Sequence, residues 1–511
     1  MSQRVSSGFE LARMLNTMRS SGISIAQNPP NKEILVSFVS SVVKSLSRPT
    51  PQRLWRAALI AGLLLAAAYL GLQPSLRWLI LLALAAGALA LPRVPQAGLL
   101  GLIAAALVVP LEISTGTEVK LNVATLLVPL LFGLWLLEGV RNRELPWRAS
   151  PVNRPLTLFL LAGLLSLLVG DALWDPAVPK SGNFWLVQLA QWAIFAFAAL
   201  AFWLFANLRD PETWLPRLTW GFLYLGGGLA ILRLLPGVGS WVTGFTTIAF
   251  IRAPFWVLLA ALAGGQLLFN ATLSKSKQVF LLAIGAAVLY YAFVAQQEAV
   301  SNWVGIVAVA GVLFWLRFPQ ARGGVVAFVL ILALSGILFP SVYQFAGGDA
   351  EWTESGGSRM ALIERVVGVT LRNPITGLGP ASYRNYADVE PLRYRNALWV
   401  NPRINSHNNY VDLFAHTGLL GLGLFLWFAW ELFRLGWGLS ARRTEGFTGG
   451  YVNGMTAAWV GSLVIMLLAD WMLPFVYNIG FPGFQASLLV WLFLGGLVAV
   501  SAESESEWEN G

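Results

Sequence analysis

The chain has 511 residues, of which 34 are Lys or Arg and 25 are Asp or Glu, so that charged residues make up 12%. This share is about half of the roughly 25% found in soluble globular proteins. Hydrophobic residues account for 57%, including 23 Trp and 30 Phe, and cysteine is absent. A soluble enzyme is therefore excluded, and so are disulfides, thiolate metal sites and thiol nucleophiles.

The chain opens with a polar, mildly basic segment, residues 1–53, which has no signal-peptide core and is predicted to be a cytosolic arm. Fourteen apolar stretches follow, and a membrane-spanning helix needs about 20 such residues. They lie near 57–72, 76–91, 97–111, 121–140, 155–170, 184–207, 218–235, 254–271, 278–295, 299–316, 323–340, 408–433, 449–470 and 484–500. The sequence predicts an all-α polytopic membrane protein with about 14 transmembrane helices.

The positive charges of the short loops predict the orientation, because cytoplasmic loops retain Lys and Arg. With the N-terminus inside, the inner loops contain Arg93, Arg141, Arg143, Arg148, Arg154, Arg209, Arg217, Lys275, Lys277, Arg317, Arg322, Arg434, Arg442 and Arg443. The short outer loops contain only Lys120, Lys180 and Arg252. Both termini are therefore expected in the cytoplasm.

These patterns predict five regions. The arm 1–53 precedes spans 1–11 in residues 54–340, and spans 12–14 occupy residues 407–502 before an acidic cytosolic tail, 503–511. Residues 341–406 form one large, partly helical outer (periplasmic) loop, too long for a simple connection. Long ordered loops usually carry function, so this loop is the predicted catalytic region.

The large outer loop contains arginine and no lysine. Its arginines are Arg359, Arg365, Arg372, Arg384, Arg393, Arg395 and Arg403. The planar guanidinium suits bidentate binding of phosphate, and Arg359, Arg365, Arg372 and Arg403 are candidate ligands of an anionic substrate. Six acidic residues share the loop, so ion pairs that hold a folded cap together are the alternative for each arginine.

A helix is predicted from Ser358, its N-cap, to Asn373, where Pro374 stops it. Arg365 and Arg372 would share one face of this helix, and Arg359 would point elsewhere. Gly377 and Gly379 follow; closely spaced glycines allow backbone N–H groups to approach a phosphate, although an ordinary turn is the favoured interpretation.

The sharpest local feature is the polar run 405–410, which opens the twelfth span and contains His407. Asn405 or Ser406 would cap that helix and place His407 in its first turn, at the positive end of the helix dipole, where a neutral imidazole can act as a base. Gly418 and Gly421 would lie on the same helix face as His407, at a seam between helices. The alternative is a histidine that is merely hydrogen-bonded at the membrane interface.

Two arginines lie near the outer membrane boundary. Arg252, at the start of the eighth span, is a candidate phosphate ligand, whereas snorkelling to the interface is favoured for Arg233.

The pair His407 and Asn408 is followed, after nine residues, by Gly418 and then by Gly421. This spacing resembles a signature of the O-antigen ligase and O-antigen polymerase family. The stretch from Arg359 through Pro374, Gly377 and Gly379 to Tyr383 resembles a second segment of that family. The resemblance implies a C-type membrane glycosyltransferase. Such an enzyme moves a glycan from an undecaprenyl pyrophosphate carrier to a glycan, lipid A core or protein acceptor at the outer face of the bacterial cytoplasmic membrane.

The resemblance also implies residue roles. His407 would activate the acceptor hydroxyl, and Arg359 and Arg252 would hold the pyrophosphate without metal or cofactor. Asn408 and the four glycines 377, 379, 418 and 421 would support the site. Where many members have a Ser-Arg-Gly sequence, residues 296–302 contain no arginine, so another arginine would have to supply that charge, or the site binds pyrophosphate differently.

Metal-dependent transfer is the less favoured mechanism: open Mg²⁺ sites use carboxylates, and the acidic pair Asp388 and Glu390 is expected to pair with Arg393 or Arg395. The rival function is a lipid-linked oligosaccharide flippase, which should carry charges through a central cavity. The bilayer is an expected partner, and nucleic acid is not.

Overall fold

The computed structural model describes residues 95–115, 119–145, 147–296, 300–336, 338–345, 357–389, 406–442 and 445–510. All of them belong to the compact unit Ile80–Gly511. The predicted arm and the predicted spans at 57–72 and 76–91 lie outside the described residues.

The described residues are mostly helical, and each predicted span from residue 97 onward coincides with a helix. The helices are α1 Pro95–Val108, α2 Val123–Asn142, α3 Asn153–Ala172, α4 Phe184–Ala206, α5 Pro211–Phe222, α6 Gly228–Arg233, α7 Val238–Phe245, α8 Ala253–Phe269, α9 Lys275–Tyr290, α10 Val300–Arg317, α11 Arg322–Leu334, α12 Leu338–Phe345, α13 Gly357–Thr370, α14 Tyr383–Val389, α15 Asn409–Ala441, α16 Gly446–Ile465 and α17 Gly480–Asn510. Single π-helical turns, Leu223–Gly227 and Tyr291–Ala295, extend α5 and α9.

Six helices of the described part are long and apolar enough to cross a membrane: α2, α3, α4, α9, α15 and α17. A seventh is reached if α10 and α11, which are bent by 106° at residue 318, count as one span. An all-α membrane protein is therefore confirmed, and the count of 14 spans stays a prediction. The exception to the helical pattern is a short antiparallel hairpin, Glu112–Ser114 with Lys120–Asn122, in the connection between α1 and α2.

The core lies where α8, α16, α17 and α4 pack together. Small residues bring α8 and α16 into backbone contact, since a Cβ on Gly265 would lie 2.3 Å from the Gly450 carbonyl oxygen and one on Gly454 would lie 2.7 Å from that of Ala261. Such close approach lets apolar helices associate through van der Waals contact where water supplies no driving force. The membrane-length part of α17 is entirely buried.

An irregular stretch, residues 466–479, connects α16 to α17, and we call it the 466–479 segment. Asn409, the first residue of α15, holds its backbone on both sides: the side-chain amide donates to the Leu473 carbonyl at 2.9 Å and accepts from the Met472 N–H at 3.0 Å. Gln191 on α4 donates to the Pro474 carbonyl and accepts from the Val476 N–H. These buried amides hold the segment against the N-terminal end of α15.

Candidate functional site

His407 lies on a turn immediately before α15. Asn408 is the N-cap, and its side-chain oxygen accepts from the N–H groups of Tyr410 and Val411 at 3.0 and 3.2 Å. The expectation that Asn405 or Ser406 caps the helix is therefore wrong, and His407 is not in the first helical turn. Its backbone has a φ of +53°, a left-handed conformation that is uncommon outside glycine.

Two neighbouring side chains hold the turn. The Ser406 hydroxyl donates to the buried Asp412 carboxylate at 2.7 Å, and the Ser406 N–H donates to the same oxygen at 3.2 Å. The Asn408 side-chain amide donates to the Leu467 carbonyl at 3.0 Å, which ties the turn to the 466–479 segment. His407 is thus presented by a conformation that its neighbours determine.

Asp470 faces His407 from the 466–479 segment, with the carboxylate Oδ1 3.8 Å from the imidazole Nδ1. The Asp470 side chain is only 3% exposed, whereas that of His407 is 29% exposed. Burial by itself would raise the pKa of Asp470, but His407 and hydrogen bonds from the Phe475 N–H and the Asn478 amide outweigh this and hold the pKa below its ordinary value. The carboxylate is therefore ionised beside the imidazole, as in histidine bases that a carboxylate orients.

Two predicted arginines contact the same segment. The Arg359 guanidinium donates to the Leu468 carbonyl at 3.4 Å. The guanidinium carbon of Arg252 lies 5.0 Å from the centre of the Trp471 ring, and Asp470 is close enough to interact with Arg252 electrostatically. Burial lowers the pKa of Arg252 and the Asp470 charge opposes that shift. The fold thus brings Arg252 and Arg359 to the residues that flank Asp470.

Three buried donors around Arg252 have no hydrogen-bond partner among the described residues: the Nε of Arg252, the Tyr291 hydroxyl and the indole nitrogen of Trp471. Tyr291 interacts electrostatically with Arg252 and Arg233. It stacks on Trp256 with ring centres 3.9 Å apart. A buried donor without a partner costs roughly 1–3 kcal/mol, so these three donors are candidates to bind an anionic ligand.

The other predicted arginines lie elsewhere. Arg365 interacts electrostatically with Tyr383 on α14, and Arg372 forms an ion pair with Asp175 at 3.1 Å. The helix α13 ends at Thr370, so Arg372 lies two residues beyond it and not within it as predicted. Arg359 lies in the first turn of α13 and Arg372 just past its end, about 20 Å apart along the helix axis, so they cannot hold one phosphate group together. Arg403 lies outside the described residues.

The two glycine motifs meet in a backbone-to-backbone contact. The Leu419 N–H donates to the Pro374 carbonyl at 2.9 Å, and Gly418 has a non-helical backbone with a φ of +65°, which kinks α15. A Cβ on Gly418 would lie 2.2 Å from the Ile375 carbonyl oxygen, and one on Gly377 would lie 2.5 Å from the Gly418 nitrogen.

This contact bears on one expectation for each glycine motif. His407 and Gly418 do not lie on one regular helix, so the predicted stripe through Gly421 is wrong. The N–H groups of Gly377 and Leu378 donate to protein carbonyls, so this stretch is a buried turn, the interpretation that the sequence favoured, and Gly379 is buried with it.

Sequence reasoning missed Asp470, Tyr291 and Trp471. Asp470 carried a usable signal, since an acidic residue at the end of an apolar span is costly unless it is paired. Tyr291 and Trp471 carried none, because aromatic residues abound at every predicted boundary. Among the described residues, no group of three or more His, Cys, Asp or Glu side chains could hold a metal ion.

The fold and the site define a helical membrane protein. A histidine–carboxylate pair, His407 and Asp470, lies near the partly buried Arg252 at the N-terminal end of α15. Residues 257–426 match the family model of the O-antigen ligase. The chain thus carries the O-antigen ligase domain, and the resemblance to the O-antigen ligase and polymerase family is confirmed. The matched region contains Arg359 and His407, whereas Arg252 and the 466–479 segment lie outside it. The chain has no match among the curated proteins.

Together with the apolar helices, this match supports a multi-pass protein of the inner membrane with a part in O-antigen and polysaccharide biosynthesis. Members of the matched family are ligases and polymerases, which supports an enzymatic function at that level.

Proposed function

We propose that the protein is a metal-independent glycosyltransferase of the O-antigen ligase and polymerase type. It would transfer a glycan from an undecaprenyl pyrophosphate carrier to an acceptor hydroxyl at the outer face of the inner membrane, with both termini in the cytoplasm and about 14 spans. One observation carries the proposal: His407, Arg252 and Arg359 all contact residues 468–471, and Asp470 lies among them.

His407 is the proposed general base. It takes the proton of the acceptor hydroxyl as that oxygen forms a bond to the anomeric carbon of the donor sugar. The bond from that carbon to the pyrophosphate oxygen breaks, and the leaving group keeps the electron pair. Attack from the opposite face inverts the anomeric centre. Asp470 is a positioning residue, which orients the imidazole and stabilises it once protonated.

The pyrophosphate gains negative charge as it leaves, so fixed cations and N–H or O–H donors accelerate the reaction. Arg252 is the proposed central ligand, with the hydroxyl of Tyr291 and the indole of Trp471 beside it, and Arg359 approaches from α13. Arg233, which interacts electrostatically with Tyr291, is proposed to supply the charge that residues 296–302 lack.

The test uses purified protein in proteoliposomes with undecaprenyl pyrophosphate-linked oligosaccharide, and the product is read by gel mobility. The wild type should form product in the presence of EDTA, and His407→Ala should form none while it still inserts and melts cooperatively. His416→Ala is the matched control in the base assignment: His416 is buried, and its Nδ1 accepts from the Ala381 N–H at 3.3 Å, so it is not expected to reach substrate. Product from His407→Ala would contradict the assigned base, and loss of product in EDTA would contradict metal independence.

The same assay separates the two branches of the family. A single shift that requires lipid A core would identify a ligase, whereas a ladder that forms without core would identify a polymerase.

A further inference from the structure

A polar cavity of about 150 Å³ lies between the end of α3, the end of α13 and α14. One water needs roughly 10–15 Å³ of such space, so the cavity is large enough for a ring-sized ligand. Three polar side chains line it, from Asp175, Arg372 and Asn373, and the Tyr386 ring forms part of its wall.

The charges of the lining cancel. The Arg372 guanidinium donates to the Asp175 carboxylate at 3.1 Å, and both side chains are about 40% exposed. The same guanidinium lies 5.7 Å from the centre of the Tyr386 ring. A cavity with a balanced ion pair does not select an ion, but it offers a carboxylate acceptor and guanidinium donors side by side.

Asn373 supplies a further donor. Its side-chain oxygen accepts from the Thr376 hydroxyl at 3.1 Å, whereas its buried Nδ2 has no hydrogen-bond partner among the described residues. A buried N–H without an acceptor is destabilising, and the side chain that carries this N–H lines the cavity.

We propose that this cavity binds a sugar residue of a glycan substrate, away from the reaction centre. Sugar hydroxyls both donate and accept, which matches the acceptor Asp175 and the donors Arg372 and Asn373 beside an aromatic wall. Because α13 separates Arg372 from Arg359 by about 20 Å, the bound sugar is several residues removed from the one transferred. The identity of the ligand as a substrate glycan rests on the proposed function.

Binding is tested on the full chain in detergent by calorimetry, with the free oligosaccharide that mild acid releases from the lipid-linked glycan of the cells that make this protein. Asp175→Asn keeps the side-chain shape, and Asn373→Asp keeps the acceptor for Thr376 but removes the donor. Each should weaken binding about tenfold, since Asp175→Asn loses a hydrogen bond to a charged group and Asn373→Asp loses the amide donor. The control is Asp171→Asn, which breaks the neighbouring Lys180–Asp171 ion pair outside the cavity. Equal binding by all four proteins, or equal weakening in the control, would overturn the proposal.

A kinetic arm separates the two sources of the glycan. The two variants should raise KM only for a long donor if the cavity binds the donor glycan, and only for a long acceptor if it binds the acceptor glycan, with a one-sugar donor unaffected. An unchanged KM for both long substrates, or an equal rise for the one-sugar donor, would count against the cavity. His407→Ala should bind the free oligosaccharide normally and form no product. Binding of the oligosaccharide by a wild type that transfers no glycan would refute the proposed function and leave the cavity proposal standing.

Discussion

At the scale of single residues, the site depends on the backbone of His407. A left-handed conformation at a residue with a Cβ costs roughly 1–2 kcal/mol. Ser406 and Asn408 stabilise it through hydrogen bonds on either side, to Asp412 and to the 466–479 segment. Strain of this kind at a polar residue often accompanies function, and here it directs the imidazole towards Asp470.

The carboxylate of Asp470 is expected to matter for the rate more than for substrate binding. Asp470→Asn keeps the size and the buried position but removes the charge that stabilises a protonated His407. The turnover number should fall about 100-fold, at the lower end of what general base catalysis contributes, with little change in KM. Steady-state kinetics in proteoliposomes measure both constants.

Asn478→Ala is the matched control for that variant, because it removes a hydrogen bond to Asp470 and leaves the charge in place. Its effect on turnover should be under about tenfold. An equal fall in turnover for Asp470→Asn and Asn478→Ala would contradict a role of the Asp470 charge in catalysis.

Arg252 is expected to act through its geometry as well as its charge. Arg252→Lys keeps a positive charge but loses the planar donors, so turnover should still fall about 100-fold, the cost of removing one preorganised donor from a developing anion. Arg217→Lys is the control, since Arg217 lies over Trp214 at 5.2 Å much as Arg252 lies over Trp471. Wild-type turnover by Arg252→Lys would refute the assigned contact.

At the scale of the elements, the kink in α15 joins the two motifs of the site. The backbone of residues 374–379 bonds directly to residues 415–420, and this contact excludes a Cβ at Gly377 and at Gly418. The contact anchors the turn that follows α13, and therefore the position of Arg359, to the helix that begins beside His407.

Replacement of Gly418 should loosen this contact. Gly418→Ala is expected to cost about 1–2 kcal/mol for the left-handed backbone alone, and the clash with Ile375 adds to it. The control is Gly423→Ala in the same helix, where a Cβ would meet nothing within 4 Å and should raise stability by up to about 1 kcal/mol. Thermal unfolding in detergent, followed by tryptophan fluorescence, measures both variants, and similar midpoints would contradict the role of the kink.

The 466–479 segment should lose stability in acid. The pKa of Asp470 in the folded protein is below the ordinary value of 3.8. Ionised Asp470 therefore stabilises the folded protein at pH values above about 4. This contribution disappears as the pH falls through the lower, folded-state pKa. The difference in unfolding temperature between wild type and Asp470→Asn should therefore shrink as the pH falls below about 4. A difference that does not change with pH would contradict the assigned ionisation.

At the scale of the whole molecule, the site lies at one end of the helices. Charges at the loops predict that this end is periplasmic, and the chain lends itself to a direct test because it has no cysteine. Single cysteines at Lys180 and Asp388 should react with a membrane-impermeant maleimide added to spheroplasts. Cysteines at Arg143 and Lys277 should react only after the membrane is permeabilised. The reverse pattern would place the site in the cytoplasm.

The sequence predicted the helices well because a 20-residue apolar stretch in lipid has to satisfy its own backbone hydrogen bonds. It predicted Arg252 as a candidate because an arginine at a membrane boundary is costly unless it is paired or functional. It predicted Arg359 because arginine without lysine in the outer loop suits phosphate binding, and His407 because this residue opens the twelfth span. It failed for the details around them. The prediction that His407 and Gly418 share one helix face assumed a straight helix. No local sequence pattern indicated the kink of α15 at Gly418, where residues 374–379 contact it.

Composition and the spacing of apolar stretches thus determined the class of the molecule, since burial in lipid is a property of each segment on its own. Tertiary structure decided which residues lie next to each candidate residue. Asp470 lies beside His407 in a segment that Asn409 and Gln191 hold in place, and most of the length of α13 separates Arg359 from Arg372. Contacts between residues distant in sequence depend on packing, which no single segment encodes.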